Sequence, residues 1–272
     1  MEAVNAIFFE PGLRHLWWSA LTSTFSEWAL FSWVFFILVI SSYVVSGGFF
    51  WVIDHFDLCP SYKIQKTRYP KNSDYWRCIA KLFWTYTFGI FPLSFLFPPV
   101  LGYLGVSAAM KDMPTLPVTL WHLFVCLVIE DFMHYVLHRA LHHPKLYKLI
   151  HKDHHLHTYP FGLTAVYASP QEVSILSMAT FAGPLLLQPH LSTIYLWIIL
   201  RELDAVESHS GYDFPWHPSN FSFGMWGAVK FHDYHHESQL KNFASRFTVW
   251  DKLFGTYGER PENKDQGRKR VQ

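Results

Sequence analysis

The residues best suited to chemistry in this chain are its histidines: seventeen, against twenty-two Lys plus Arg. Eight of them fall between positions 134 and 157. From Glu130 the sequence reads EDFMHYVLHRALHH, which puts His134 and His138 four residues apart, on one face of a helix. His142 extends that stripe by one more turn. His151, His154 and His155 follow in HKDHH, and His232, His235 and His236 repeat the spacing in HDYHH. Neutral imidazole is the commonest biological metal ligand, and side chains at i, i+3 and i+4 can converge on one centre. A single such box is weak evidence, but HxxxH followed by two copies of HxxHH is a strong signal for metal. A ninth candidate is His209, which shares a helical face with Glu202 and stands just past an apolar run. Eight or nine histidines exceed the needs of one ion, so two metals are expected, each with four or five nitrogens.

Imidazole suits iron, zinc, copper and nickel alike, so context must choose. Two nitrogen-ligated metals beside lipid fit dioxygen activation by two non-haem irons. Zinc hydrolysis more usually adds a carboxylate ligand and an aqueous cleft, although zinc can replace iron in a purified sample. Ligating histidines generally pass their second N–H to an acceptor. Candidates for supporting the ligands are Glu130, Asp131, Asp153, Asp213 and Asp233, with Asp204 and Glu207 also within reach. His142 belongs with them by position, although it is in register to be a ligand itself. His143 and His157 lie beside boxes but out of register, whereas His15, His55, His122, His190 and His217 are isolated.

The elements that must position these residues are membrane helices. Half of the residues are apolar and 16% are charged, well below the roughly 25% of a soluble domain. The net charge of +1 argues against nucleic acid as a partner. Apolar runs cover 28–53, 82–110 (interrupted by Pro92, Pro98 and Pro99), 116–137 (its last part carrying Glu130, Asp131 and His134) and 173–200; about 20 apolar residues suffice to span a bilayer. The loop from Asp54 to Lys81 holds six Lys and Arg residues, whereas the first 27 residues hold only Arg14. That bias puts the loop in the cytosol. The fourth run is expected to turn back as a hairpin near Pro184–Pro189, because the later histidines must meet the earlier ones. The sequon at Asn220 then lies in the cytosol and goes unused. Three scattered cysteines give neither a disulfide framework nor a zinc motif. The expected fold is all-α: an integral membrane helical bundle with a cytosolic histidine-rich cap. Residues 1–115 would be anchor helices, 116–260 the metal domain and 261–272 a basic tail.

The order HxxxH, HxxHH, HxxHH beside membrane helices resembles the fatty acid hydroxylase superfamily of membrane di-iron oxygenases. IEDFMHYVLHRALHHPKLYKLIHKDHH and the tail HDYHH…NFASRFTVWDKLFGTYG carry the likeness, and ESHSGYDFPW and YKIQK narrow it to the sterol-directed, C-4 methyl-oxidising branch. The resemblance implies two non-haem irons on the three boxes plus His209, O2 as oxidant, and electrons from NAD(P)H through a reductase and cytochrome b5. It implies oxidation of a sterol C4 methyl to alcohol, aldehyde and acid, in concert with other C4-demethylation enzymes, in the endoplasmic reticulum membrane with the metals on the cytosolic face. The basic residues of the ending Lys269-Arg270-Val271-Gln272 resemble a retrieval signal for that compartment. Phe161, Tyr167, Trp197, Tyr212, Phe214 and Trp216 are the aromatics expected around the substrate. Two other functions compete: the same chemistry on another lipid (a sterol side chain, a fatty acid or a sphingolipid), and a membrane metal-binding or transport protein.

Overall fold

The computed structural model describes residues 12–261, so the basic tail from 262 onward, with its retrieval-like ending, lies outside the described residues. Within them the chain is helical, with two isolated backbone bridges and no strand. Helix α1 is Leu13–Thr24. Helices α2 (Glu27–His55), α3 (Asn72–Tyr103) and α4 (Leu116–Leu141) are each long and apolar enough to cross a membrane. The prolines of the second run do not divide α3. A π-turn at Tyr86–Ile90 stands directly before Pro92 and absorbs the break in the ladder that a missing N–H imposes. The fourth run is two helices, α5 (Pro170–Leu187) and α6 (Leu191–Ser208), joined where Gln188 adopts a left-handed conformation at φ 48°. This is the expected hairpin, and its arms at 1.5 Å per residue are each about 27 Å long.

Contacts at the two ends of the bundle show what the hairpin achieves. At one end Trp18 Nε1 donates to the Ala108 carbonyl at 2.9 Å, and Leu191 N to the Ser107 carbonyl at 2.9 Å. Helix α1, the 104–115 loop and the hairpin turn therefore meet there. At the other end Lys63 pairs with Asp54 at 2.6 Å, Ile64 N donates to the Gly211 carbonyl at 2.9 Å, and Lys81 reaches Asp153 at 2.6 Å. All three histidine boxes sit at that end, because the hairpin returns the chain to it. Helices α7 (Ala228–Ser238) and α8 (Thr248–Leu253) complete the cap.

The α4–α5 contact holds the first box against the rest, and it depends on Gly183. A Cβ there would lie 2.7 Å from Cys126 Cα, a backbone atom that cannot rotate away. Gly183→Ala should therefore separate the helices and lower stability by about 1–3 kcal/mol. Gly102→Ala, whose Cβ would meet nothing within 4 Å, is the control. Thermal unfolding of both variants in detergent checks this; equal midpoints would sink the packing argument.

Candidate metal centre

The three boxes are built on different backbones. His134 and His138 lie on the last turns of α4, and His142 caps it. Pro144 then opens a short helical stretch, which widens into a π-turn at Tyr147–His151 and tightens into a 3-10 turn at His154–Leu156. The third box lies on the regular helix α7, and His209 caps α6. The result is two groups of imidazoles: His138, His142, His151, His155 and His235 in one, and His154, His209, His232 and His236 in the other. Each HxxHH box is thus divided between both groups. The groups touch, with the His155 and His236 rings 4.8 Å apart.

Within each group the ring nitrogens face one another. In the first, His138, His142 and His155 each bring Nε2 within 3.0–3.2 Å of another member's Nε2. In the second, His232 Nε2 is 2.9 Å from His209 Nε2 and 3.1 Å from His236 Nε2. Donor atoms about 2.1 Å from a shared ion sit roughly 3.0–3.4 Å apart. The tautomers agree. Nδ1 of His138 donates to the Phe243 carbonyl at 2.8 Å, that of His235 to Lys241 at 2.7 Å and that of His209 to Ala205 at 2.7 Å. His151 Nδ1 donates to the Glu172 carboxylate at 2.7 Å. A neutral ring with its proton on Nδ1 has a bare lone pair on Nε2. Lone pairs packed this closely repel one another unless a cation lies among them, so the donor set fits a pair of nitrogen-ligated metals.

Burial keeps these rings uncharged. Desolvation, then repulsion from neighbouring histidines, holds His151, His154, His155, His232, His235 and His236 well below the usual imidazole range. His142 is brought down to about 3 and His209 to about 4, burial being the largest cause in both. An unfolded imidazole takes up a proton as pH falls through about 6.5, while the folded cluster resists until much lower, so stability present at pH 7 is lost on acidification. Each such histidine costs about 1.4 kcal/mol per unit below 6.5. The midpoint of thermal unfolding of the metal-stripped protein should therefore fall between pH 7 and pH 5; an unchanged midpoint across that range would contradict this.

A profile of the fatty acid hydroxylase family matches residues 123–256, the stretch that holds all nine clustered histidines. The sequence is 39% identical over 256 residues to a putative methylsterol monooxygenase of Dictyostelium discoideum, covering 94% of this chain and 92% of that one. The chain belongs to the fatty acid hydroxylase family. It is also 40% identical over 243 residues to a very-long-chain aldehyde decarbonylase of Oryza sativa, covering 88% and 90% of the two chains. A methylsterol monooxygenase of Arabidopsis thaliana is 37% identical over 254 residues, covering 88% and 92%. No solved structure matches the chain.

The structure departs from the sequence expectations at three points. First, the box on α4 shifts by one turn: His142, expected beside the ligands, lies within the five-nitrogen group, and His134 lies outside both groups. His134, His138 and His142 form one stripe, so spacing alone had no means of choosing between its two ends. Second, the five carboxylates expected to hold the ligands bind elsewhere. Glu130 meets Arg201 at 2.9 Å and Arg246 at 3.4 Å, and Asp131 accepts from Arg246 N, Phe247 N and Trp250 Nε1. Asp153 pairs with Lys81, Asp213 with Lys230, and Asp233 with Arg260 and Gln65. The carboxylate on a clustered histidine is Glu172. Its place three residues after Ser169, whose hydroxyl caps α5, reads in sequence as an ordinary helix start.

Third, the cavity is lined by other residues. It runs from Phe35 and Val39 on α2 and Leu93 on α3, between Leu176, Phe181 and Ile198, to His134, His138, His151, His154, His209 and His232. None of the six expected aromatics lines it. Trp197 belongs to one packed core, and Phe161, Tyr212 and Phe214 to another against which Tyr167 packs. Tyr212 is held there by its hydroxyl, which donates to Asp54 at 2.7 Å, and Trp216 is two-thirds exposed, stacked on Phe214. The expected aromatics are packed elsewhere, whereas apolar side chains of α2, α3, α5 and α6, Phe35 and Phe181 among them, make the cavity.

Proposed function

We propose that this protein is a membrane di-iron monooxygenase that oxidises the C4 methyl group of 4-methyl and 4,4-dimethyl sterols. The observation that carries this reading is the cavity: largely apolar along the spanning helices, it ends on six histidines that include members of both groups. In this reading His138, His142, His151, His155 and His235 hold one iron, and His154, His209, His232 and His236 the other. Two iron ions, when bound, supply dioxygen activation.

The chain's own residues do the rest. Phe35, Val39, Leu93, Leu176 and Phe181 bind the apolar skeleton and exclude water from the reacting end. The Phe243 and Ala205 carbonyls and the Glu172 carboxylate fix His138, His209 and His151, which line the cavity, and the Lys241 carbonyl fixes His235 behind them. Each oxidation takes one oxygen atom from O2 into the substrate, sends the other to water and consumes two electrons and two protons. Three rounds convert methyl to carboxyl. The electrons come from NAD(P)H through a reductase and cytochrome b5 as partner proteins. The histidine end faces the cytosol of the endoplasmic reticulum membrane, where enzymes acting on the acid product would meet it.

The relatives include both methylsterol monooxygenases and aldehyde decarbonylases at similar identity, so a product assay decides. Cells lacking the protein should accumulate 4,4-dimethylsterols, and restoring it should clear them. Unchanged 4-methylsterols with an altered pool of aldehydes, hydroxy fatty acids or another hydroxylated lipid would overturn the reading.

A further inference from the structure

His134 shares a helical face with His138 but stands one turn, about 6 Å, deeper toward the membrane-spanning part of α4. Its ring packs on His138 with centroids 5.2 Å apart, yet its nitrogens join neither group. It lines the cavity and is 15% exposed, while Glu130 is fully buried. Its Nδ1 stands 3.6 Å from Glu130 Oε1, too long for a hydrogen bond. That carboxylate is held by Arg201, whose side chain also lines the cavity, so it cannot swing away. His134, Arg201 and Glu130 therefore form a polar corner in a largely apolar cavity, beside the clustered histidines. Arg201 Nε, buried there, has no hydrogen-bond partner, and a buried donor left unpaired is costly; the His134 ring beside it can donate or accept.

We infer that this corner receives the hydroxyl of the lipid substrate, with His134 bonding it directly and thereby choosing which carbon faces the histidine groups. The inference rests on the sterol reading above and deepens it. A sterol carries its hydroxyl on the carbon next to C4, so a C4 methyl presented to His138 brings that hydroxyl to the neighbouring turn, where His134 stands. His134 is a positioning and specificity residue, and it holds no metal.

The test compares a 4,4-dimethylsterol with its 3-O-methyl ether, which lacks the donor proton, as substrates of the purified holoenzyme and as ligands of zinc-substituted protein. Wild type should prefer the free hydroxyl by about 10-fold to 100-fold in kcat/KM and in affinity. In His134→Leu the two lipids should become equivalent, with two metals per chain retained, and His134→Gln should restore most of the preference. A preference insensitive to His134, or a loss of metal in His134→Leu, overturns the inference. Absence of sterol turnover by wild type would instead sink the proposed function, so the two failures are distinguishable.

Discussion

His235→Ala and His154→Ala should each abolish turnover, and each should cost the purified protein metal. Nε2 of His235 faces His155 Nε2 at 3.2 Å in the five-nitrogen group, and that of His154 faces His209 Nε2 at 3.3 Å in the four-nitrogen group. Removing one donor leaves rings held by packing and, for His138, His151 and His209, by Nδ1 bonds, so these neighbours cannot close in to replace it. Loss of a group that merely orients a ligand typically costs 10–100-fold in metal affinity or activity; loss of the ligand itself should exceed that. His15→Ala, on α1 at the opposite end of the bundle, should change neither. Metal per chain after anaerobic, reducing purification, together with turnover, checks both expectations. Retained activity in either box variant would sink the assignment of these nitrogens to metal.

The sequence made the existence of the site plain but not its wiring. Repeated HxxHH spacing marked seven of the nine clustered histidines when taken with His138, and the apolar runs gave the spanning helices and the hairpin. The division of each box between two groups was not legible. In both boxes the residues at i and i+4 share a group and the one at i+3 joins the other, on the π and 3-10 turns of the second box and on the regular helix α7 alike. Successive residues lie about 100° apart around a helix, so one box can serve two centres, but spacing alone does not say whether it serves one or two. The choice of His142 over His134 was hidden for a related reason: a stripe of three on one face shows a direction but not a depth. The acceptors were hidden because most are backbone carbonyls, which any residue supplies. The cavity lining was misplaced because aromatic residues were favoured near the boxes, whereas the cavity is lined by apolar residues of α2, α3, α5 and α6, most of them distant from the boxes in sequence.

The carbonyl acceptors in turn depend on Asp251, which gives the second large effect. Asp251 is fully buried on α8, and its carboxylate accepts from Phe243 N at 2.9 Å, Ala244 N at 2.9 Å and the Thr256 hydroxyl at 2.6 Å. These bonds clamp the segment whose Phe243 and Lys241 carbonyls hold His138 and His235. Asp251→Ala leaves two buried N–H groups without acceptors, at about 1–3 kcal/mol each. The expected loss is thus about 2–6 kcal/mol, larger than for any surface change. The effect on metal should be lopsided. Both affected histidines belong to the five-nitrogen group, whereas His209 in the other is held by Ala205 on α6, far from this clamp in sequence. Asp251→Ala should therefore fall from two metals per chain toward one before it unfolds, and Asp251→Asn, which keeps one acceptor oxygen, should fall between. Metal stoichiometry across a mild thermal or denaturant series reads this out. Simultaneous loss of both metals at a single midpoint would show that the clamp supports the whole cap rather than one group of rings.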